Sequence, residues 1–309
     1  VMKWLWLTLF FILIGSVLAL ARWADGAANR DWETVERLVG YPGETEGDSF
    51  KISVPRSDLN VLVHGSPVDP QAGLTSWFAF KPRSHGSLLI GEMVLVDWET
   101  PRIEALLESY QFALTSIYRP FNGENPGLER VGFTGSGPRA LLAQEVRSLL
   151  TATSMPASSP LVKTPPSTVQ TAFGLPLEKI LGPAHWEGGT LSFSFVPPIP
   201  ITNEGAEIPP YMGFETIFHF QTDEKISKVY GQWVLSQKEA QSVAEILMKN
   251  HIGLTDTHSV LLDLSPQPVF IDFWVEGEPI KIAKVLKEAL GQTRLVGLTP
   301  GHAPETKQP

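Results

Sequence analysis

The chain of 309 residues has no cysteine. That absence removes disulfides, zinc–thiolate sites, thiol catalysis and any lipid-modified N-terminal cysteine. Positive charge is also in deficit, with 24 Lys and Arg against 33 Asp and Glu and a net charge of -9. Such a balance lacks the basic footprint that binds a nucleic-acid backbone, so no nucleic-acid partner is expected. There is no phosphate loop, dinucleotide fingerprint, zinc-protease string or complete Gly-x-Ser-x-Gly elbow. What is present is ordinary globular usage, with 43% hydrophobic and 18% charged residues. The chain is too apolar for disorder and long enough for about two domains with cores of their own.

An apolar run from Trp4 to Leu20 follows Lys3 and ends in Ala19-Leu20-Ala21. A short positive region, an apolar stretch and small residues at a cleavage position read as an export signal over residues 1–21. The run is slightly short for a membrane span of ~20 residues, and no positive cluster follows to stop transfer. Membrane contact is therefore expected only through this segment, where it stays uncleaved. The rest of the chain is expected in the periplasm or outside the cell.

Sliding the chain against itself brings out an internal repeat. At an offset of 140, Gly91-Glu92-Met93-Val94-Leu95 falls on Gly231-Gln232-Trp233-Val234-Leu235. The same offset pairs Phe80 with Phe220, Leu107 with Leu247, Phe133 with Phe273 and Thr153 with Thr293. Two units are expected, over residues 30–153 and 173–298. They are joined by a Ser/Thr/Pro-rich linker over 154–172 and followed by a disordered tail over 299–309.

Pattern predicts the elements of each unit. Ser76-Trp77-Phe78-Ala79-Phe80 and Leu88 to Val96 read as strands, and Ile103, Leu106 and Leu107 give a helical stripe. Two strands near 113–117 and 128–133 and a helix carrying Leu142 and Val146 complete the unit, with the same order in the second copy. Gly135-Ser136-Gly137 reads as the N-cap of that last helix. The fold class is α+β, a tandem duplication of a ββαββα unit with antiparallel sheets and helices on one face. That arrangement is related to the ferredoxin-like one, with a pseudo-twofold between copies.

Lys51-Ile52-Ser53-Val54-Pro55-Arg56-Ser57-Asp58-Leu59, with Ser76-Trp77-Phe78-Ala79-Phe80, resembles the opening of the LppY/LpqO-type family of exported bacterial proteins. Pro209-Pro210-Tyr211-Met212-Gly213 and Phe273-Trp274 are similar to that family as well. The resemblance implies an exported two-copy protein and carries no settled activity. It also implies a Thr-x-Leu-His-Asn-His string and a strand histidine, most of which are replaced here. Thr255-Asp256-Thr257-His258 keeps the threonine and the first histidine, and Asp272 stands at the strand position. In the first copy Tyr118 stands at the position of His258, and Gly132 at that of Asp272.

His258 and Asp272 are thus the leading pair. Imidazole and carboxylate hold a divalent ion or move a proton, and outside active sites they form structural hydrogen bonds. Each is expected opposite the other across a hairpin centred near residue 265. A stable metal site takes about three or four protein ligands, and Asp256 and Asp263 are the other acids in reach. Thr255 and Trp274 would line a pocket beside the pair. Tyr118 and Arg119 offer an aromatic face and a guanidinium for an anionic or sugar ligand. His64 reads as a turn residue and His251 as a cation at a helix C-terminus.

The expected function is a non-enzymatic binding or accessory protein, exported, with a ligand or partner in a cleft of the duplicated fold. The alternative is a metal-dependent or His/Asp-based hydrolase acting on an envelope polymer. The partner would be a small molecule, an envelope polymer or a protein. No resident cofactor is expected, apart from one divalent metal that His258 and Asp272 could hold.

Overall fold

The structure is a computed structural model that describes residues 32–156, 167–221 and 226–298. The expected export signal, the tail from residue 299 and much of the linker lie outside the described residues. Helix α1 covers residues 32–39. The first unit continues through β1 (Gly43–Glu46), β2 (Ser49–Pro55), β3 (Leu62–Val63), β4 (Ser66–Pro67), β5 (Thr75–Arg83), β6 (Gly86–Val96), α2 (Thr100–Ser109), β7 (Ala113–Tyr118), β8 (Glu124–Asn125), β9 (Leu128–Gly137) and α3 (Arg139–Thr151). The second runs α4 (Thr168–Leu181), β10 (His185–Glu187), β11 (Thr190–Val196), β12 (Ile201–Asn203), β13 (Ala206–Ile208), β14 (Thr216–Gln221), β15 (Ser227–Leu235), α5 (Gln237–Lys249), β16 (Leu254–His258), β17 (Leu264–Ser265), β18 (Val269–Gly277) and α6 (Pro279–Leu290). A last strand, β19 (Val296–Gly297), pairs with β11.

The fold is α+β with antiparallel sheets. One sheet has the order β1-β2-β5-β6-β9-β7 and the other β10-β11-β14-β15-β18-β16, and each unit adds a small three-stranded sheet. Register matches between units: Gly91 pairs with Phe133 and Gly231 with Phe273, while Tyr118 pairs with Arg130 and His258 with Phe270. Each displacement is the offset of 140 read in the sequence. A register shift interrupts β7 between Leu114 and Ser116 and β16 between Leu254 and Asp256.

Strand alternation explains the layering. In β6, Leu89, Met93 and Leu95 enter a core with Ile103 and Leu107 of α2 and with Leu142 and Val146 of α3. In the second unit, Phe218, Trp233 and Phe273 meet Val243 of α5 and Leu286 of α6 in the same way. The opposite faces meet one another. Ile90 clusters with Met212, Phe214 and Phe270, and Val94 with Tyr230 and Trp274. Helices therefore lie outside and the two sheets face each other. This two-sided burial is why β6 reads as an almost unbroken apolar run.

Three expectations are corrected. Helix α4 begins at Thr168, inside the stretch expected as linker, because Ser167 and Gln170 form a capping box. Ser136 is not a cap. It pairs with Leu88 within β9, and Pro138 holds the N-cap of α3. The first sheet also opens with a hairpin, β1 and β2, that was not read from its mostly polar first strand.

Close sheet–helix packing needs glycine at matched places. A Cβ on Gly231 would overlap the Phe273 ring and lie 3.0 Å from Phe218, and one on Gly91 would lie 2.7 Å from Phe133. Gly231→Ala is expected to cost about 1–3 kcal/mol by overpacking. Urea unfolding checks it, and an unchanged midpoint would refute it.

Candidate functional site

Where the sheets face each other, polar side chains interrupt the apolar seam. The first unit contributes Glu92 from β6, Tyr118 from the end of β7 and Arg130 from β9. Arg130 sits opposite Tyr118 in the register. Its guanidinium donates to Glu92 Oε1 at 2.6 Å and to the Gly73 carbonyl at 2.7 Å. The Tyr118 hydroxyl donates to Glu92 Oε2 at 2.9 Å. All three residues are below 10% exposure, so each charge depends on these partners.

The second unit contributes Tyr230 and Gln232 from β15, Asp256 and His258 from β16 and Asp272 from β18. Asp272 is fully buried. Its Oδ1 accepts a short hydrogen bond from the Tyr230 hydroxyl and another from Gln232 Nε2 at 3.3 Å. Its Oδ2 has no hydrogen-bond partner among the described residues. Burial pushes the carboxyl up to about 6, against the opposing pull of Arg130, the Tyr230 hydroxyl and His258. His258 Nδ1 lies 2.6 Å from Asp256 Oδ2.

The two sets interlock. Gln232 Nε2 also donates to the Tyr118 hydroxyl at 3.2 Å, and the Arg130 guanidinium lies 5.2 Å over the Tyr230 ring. The His258 ring is held between Tyr118, 4.0 Å away, and Phe270, 5.0 Å away, stacked on both. Beside this network a small cleft opens between the units. Trp77, Met212, Phe214, Val260 and Phe270 make its walls mostly apolar, and Glu92, Ser116, Gln232 and His258 add polar groups. Gly132, which stands where the second unit has Asp272, also lines the cleft, and a Cβ there would overlap the Ser116 hydroxyl.

Of the residues singled out in the sequence, His258, Asp272 and Tyr118 come together. His258 and Asp272 share a face, but they are not opposite each other. Asp256 faces Asp272, and Phe270 faces His258. The strands pair about residue 264 instead of 265, because the connection is no tight hairpin: Leu264–Ser265 leaves to pair with β12. Trp274 is buried edge-on against Phe121, outside the cleft lining, and the Thr255 hydroxyl is buried without a partner among the described residues. Arg119 is half exposed and lies among Asp97, Glu124 and Glu129. His64 occupies the turn between β3 and β4, and His251 follows the C-terminus of α5. Glu92 and Arg130 were not selected from sequence as site residues, and Asp256 was named only as another acid in reach of the pair. The signal for Glu92 was there, since a carboxylate on the alternating face of an apolar strand needs a partner.

The fold and seam define a class of chain built from two matched α+β units that close face to face over a polar network. Within that class, the chain belongs to the family described as Domain of Unknown Function (DUF1259), which matches residues 33–152 and again residues 176–292. No curated protein matches it. Two solved structures are similar at 11% identity. The trimeric bacterial microcompartment shell protein PduB covers 85% of this chain and 98% of its own, with a TM-score of 0.22. EtuB from Clostridium kluyveri covers 84% and 95%, with a TM-score of 0.20.

Proposed function

We propose that the chain is an exported binding protein that holds a small, ring-shaped, hydroxyl-bearing ligand, such as a glycan fragment of the envelope, in the cleft between its units. The observation that carries this reading is the cleft lining. Its walls are mostly apolar, with Trp77, Phe214 and Phe270 among them, and both units add hydrogen-bonding groups, as a sugar's apolar face and hydroxyl edge require. Export is supported by the order of Lys3, the apolar run and Ala19-Leu20-Ala21. It is supported too by the resemblance to the LppY/LpqO-type family. We read the units as tandem copies of a ββαββα unit, ferredoxin-related, about a pseudo-twofold. Support comes from the common element order and the 140-residue register displacement.

Binding is favoured over catalysis because Glu92, the acid in the cleft wall, is already engaged by Arg130 and Tyr118. The hydrolase reading has one observation of its own, the Asp256–His258 contact, which would orient the imidazole as a general base. Saturation-transfer NMR on the full chain with N-acetylglucosamine oligosaccharides tests the proposal. Binding is expected, and Val260→Trp at the cleft rim should weaken it at least about tenfold without loss of folding. Absence of binding, or binding indifferent to Val260→Trp, overturns the glycan reading. Cleavage of the oligosaccharide that His258→Gln abolishes would establish the hydrolase instead.

A further inference from the structure

One carboxylate oxygen each of Asp256 and Asp272 and one ring nitrogen of His258 lie within 4.8 Å of one another. Two features set this group apart from an ordinary polar cluster. Asp272 is fully buried, yet its Oδ2 has no hydrogen-bond partner among the described residues, so half of a carboxylate has been withdrawn from water without replacement. Charge is also unbalanced. Arg130, the nearby cation, is already paired with Glu92 at 2.6 Å, which leaves the two aspartates in excess.

We propose that Asp256, His258 and Asp272 form a site for one divalent transition-metal ion of the zinc or manganese kind. The inference goes beyond the cleft reading and does not rest on it. Two carboxylates and a neutral imidazole cancel the charge of such an ion. Nitrogen and oxygen ligands of this kind suit zinc and manganese. The 2.6 Å contact between Asp256 Oδ2 and His258 Nδ1 shows that these two ligand atoms already converge. Tyr230 and Gln232 hydrogen-bond Oδ1 of Asp272, the outer support that fixes a ligating carboxylate. Asp256, 24% exposed, gives the ion its way in. Three protein ligands leave a coordination position open. The first unit has no such site, because Ser116, Tyr118 and Gly132 stand at the matched positions.

The test is calorimetric titration of the full chain with zinc chloride after stripping with a chelator, with no glycan present, so its outcome is separate from that of the cleft proposal. One zinc per chain is expected, with a rise in melting temperature. Asp256→Asn and His258→Gln should each weaken binding at least about tenfold, and Asp272→Asn more than either. Glu245→Gln, at an exposed acid of α5, should leave it unchanged. Asp256 is half-buried, so Asp256→Asn keeps the test valid should Asp272→Asn fail to fold, and circular dichroism monitors both. Failure of the wild-type chain to take up stoichiometric zinc, or undiminished affinity in either Asp256→Asn or His258→Gln, overturns the proposal.

Discussion

Arg56→Met is expected to lower the stability of the full chain by about 3–5 kcal/mol, because it leaves a buried carboxylate without its cation. Arg56 is completely buried. One terminal nitrogen donates to Glu99 Oε2 at 2.9 Å and to the Val94 carbonyl at 2.6 Å, and the other to Asp58 at 2.8 Å and Ser154 at 3.0 Å. Glu99 in turn accepts from the Val96 backbone ahead of α2 and from the Ser154 backbone after α3. A single guanidinium thus ties β2, β6, α2 and the exit from α3. Arg56→Lys should restore little, since one ammonium cannot span this fork. Arg119→Met, removing a half-exposed cation from three acids, should cost less than about 1 kcal/mol. Urea unfolding of the three variants decides it, and equal losses from Arg56→Met and Arg119→Met would be fatal to this account.

Acid should destabilise the fold through His219. Its Nδ1 lies 2.8 Å from Ser192 Oγ, and its ring is stacked 6.2 Å from that of Tyr230. Burial, with the nearby positive charges of His185 and Arg130, pushes its pKa down from 6.5 to about 3. The unfolded chain takes up the proton near 6.5 while the folded chain refuses it. The stability tied to the neutral ring is therefore complete above pH 6.5 and is lost as pH falls toward 3. At ~1.4 kcal/mol per unit the ceiling is about 5 kcal/mol. The ring is only half-buried, so solvent screening brings the expected loss to about 2–3 kcal/mol. Carboxylates also titrate in this range, so the measurement is the stability difference between wild type and His219→Gln at pH 7 and pH 4. The difference should shift toward the variant at pH 4, and a constant difference would show that His219 plays no part.

The internal repeat was legible because β6 and β15 face the same two-sided burial and so carry the same apolar string around Gly91 and Gly231. The opening hairpin of the first unit was hidden, since Gly43 to Glu46 is mostly polar and lies at a sheet edge, where one side needs no partner. The three-stranded sheets were out of reach too. Their strands are two or three residues long, below the length at which alternation shows.

In the site, proximity in sequence misled where pairing across strands decided. Arg119 follows Tyr118 directly but lies just past the end of β7, half exposed among acids. Arg130, twelve positions on, is the cross-strand neighbour of Tyr118 and shares its side of the sheet. His258 and Asp272 were visible as types and by parity. Their offset by two residues was not, because it follows from Leu264–Ser265 leaving to pair with β12.

The polar seam has a consequence for how the two halves can change over time. At matched positions each half holds what the other lacks: Glu92 against Gln232, Arg130 against Phe270, Gly132 against Asp272 and Ser116 against Asp256. A chain made of two first halves would lack both aspartates. A chain made of two second halves would bring four carboxylates together with no guanidinium to receive them. The halves complement each other in charge, so changing one toward the other would unbalance its neighbour. Expressed as separate polypeptides, they should recognise each other and reject copies of themselves.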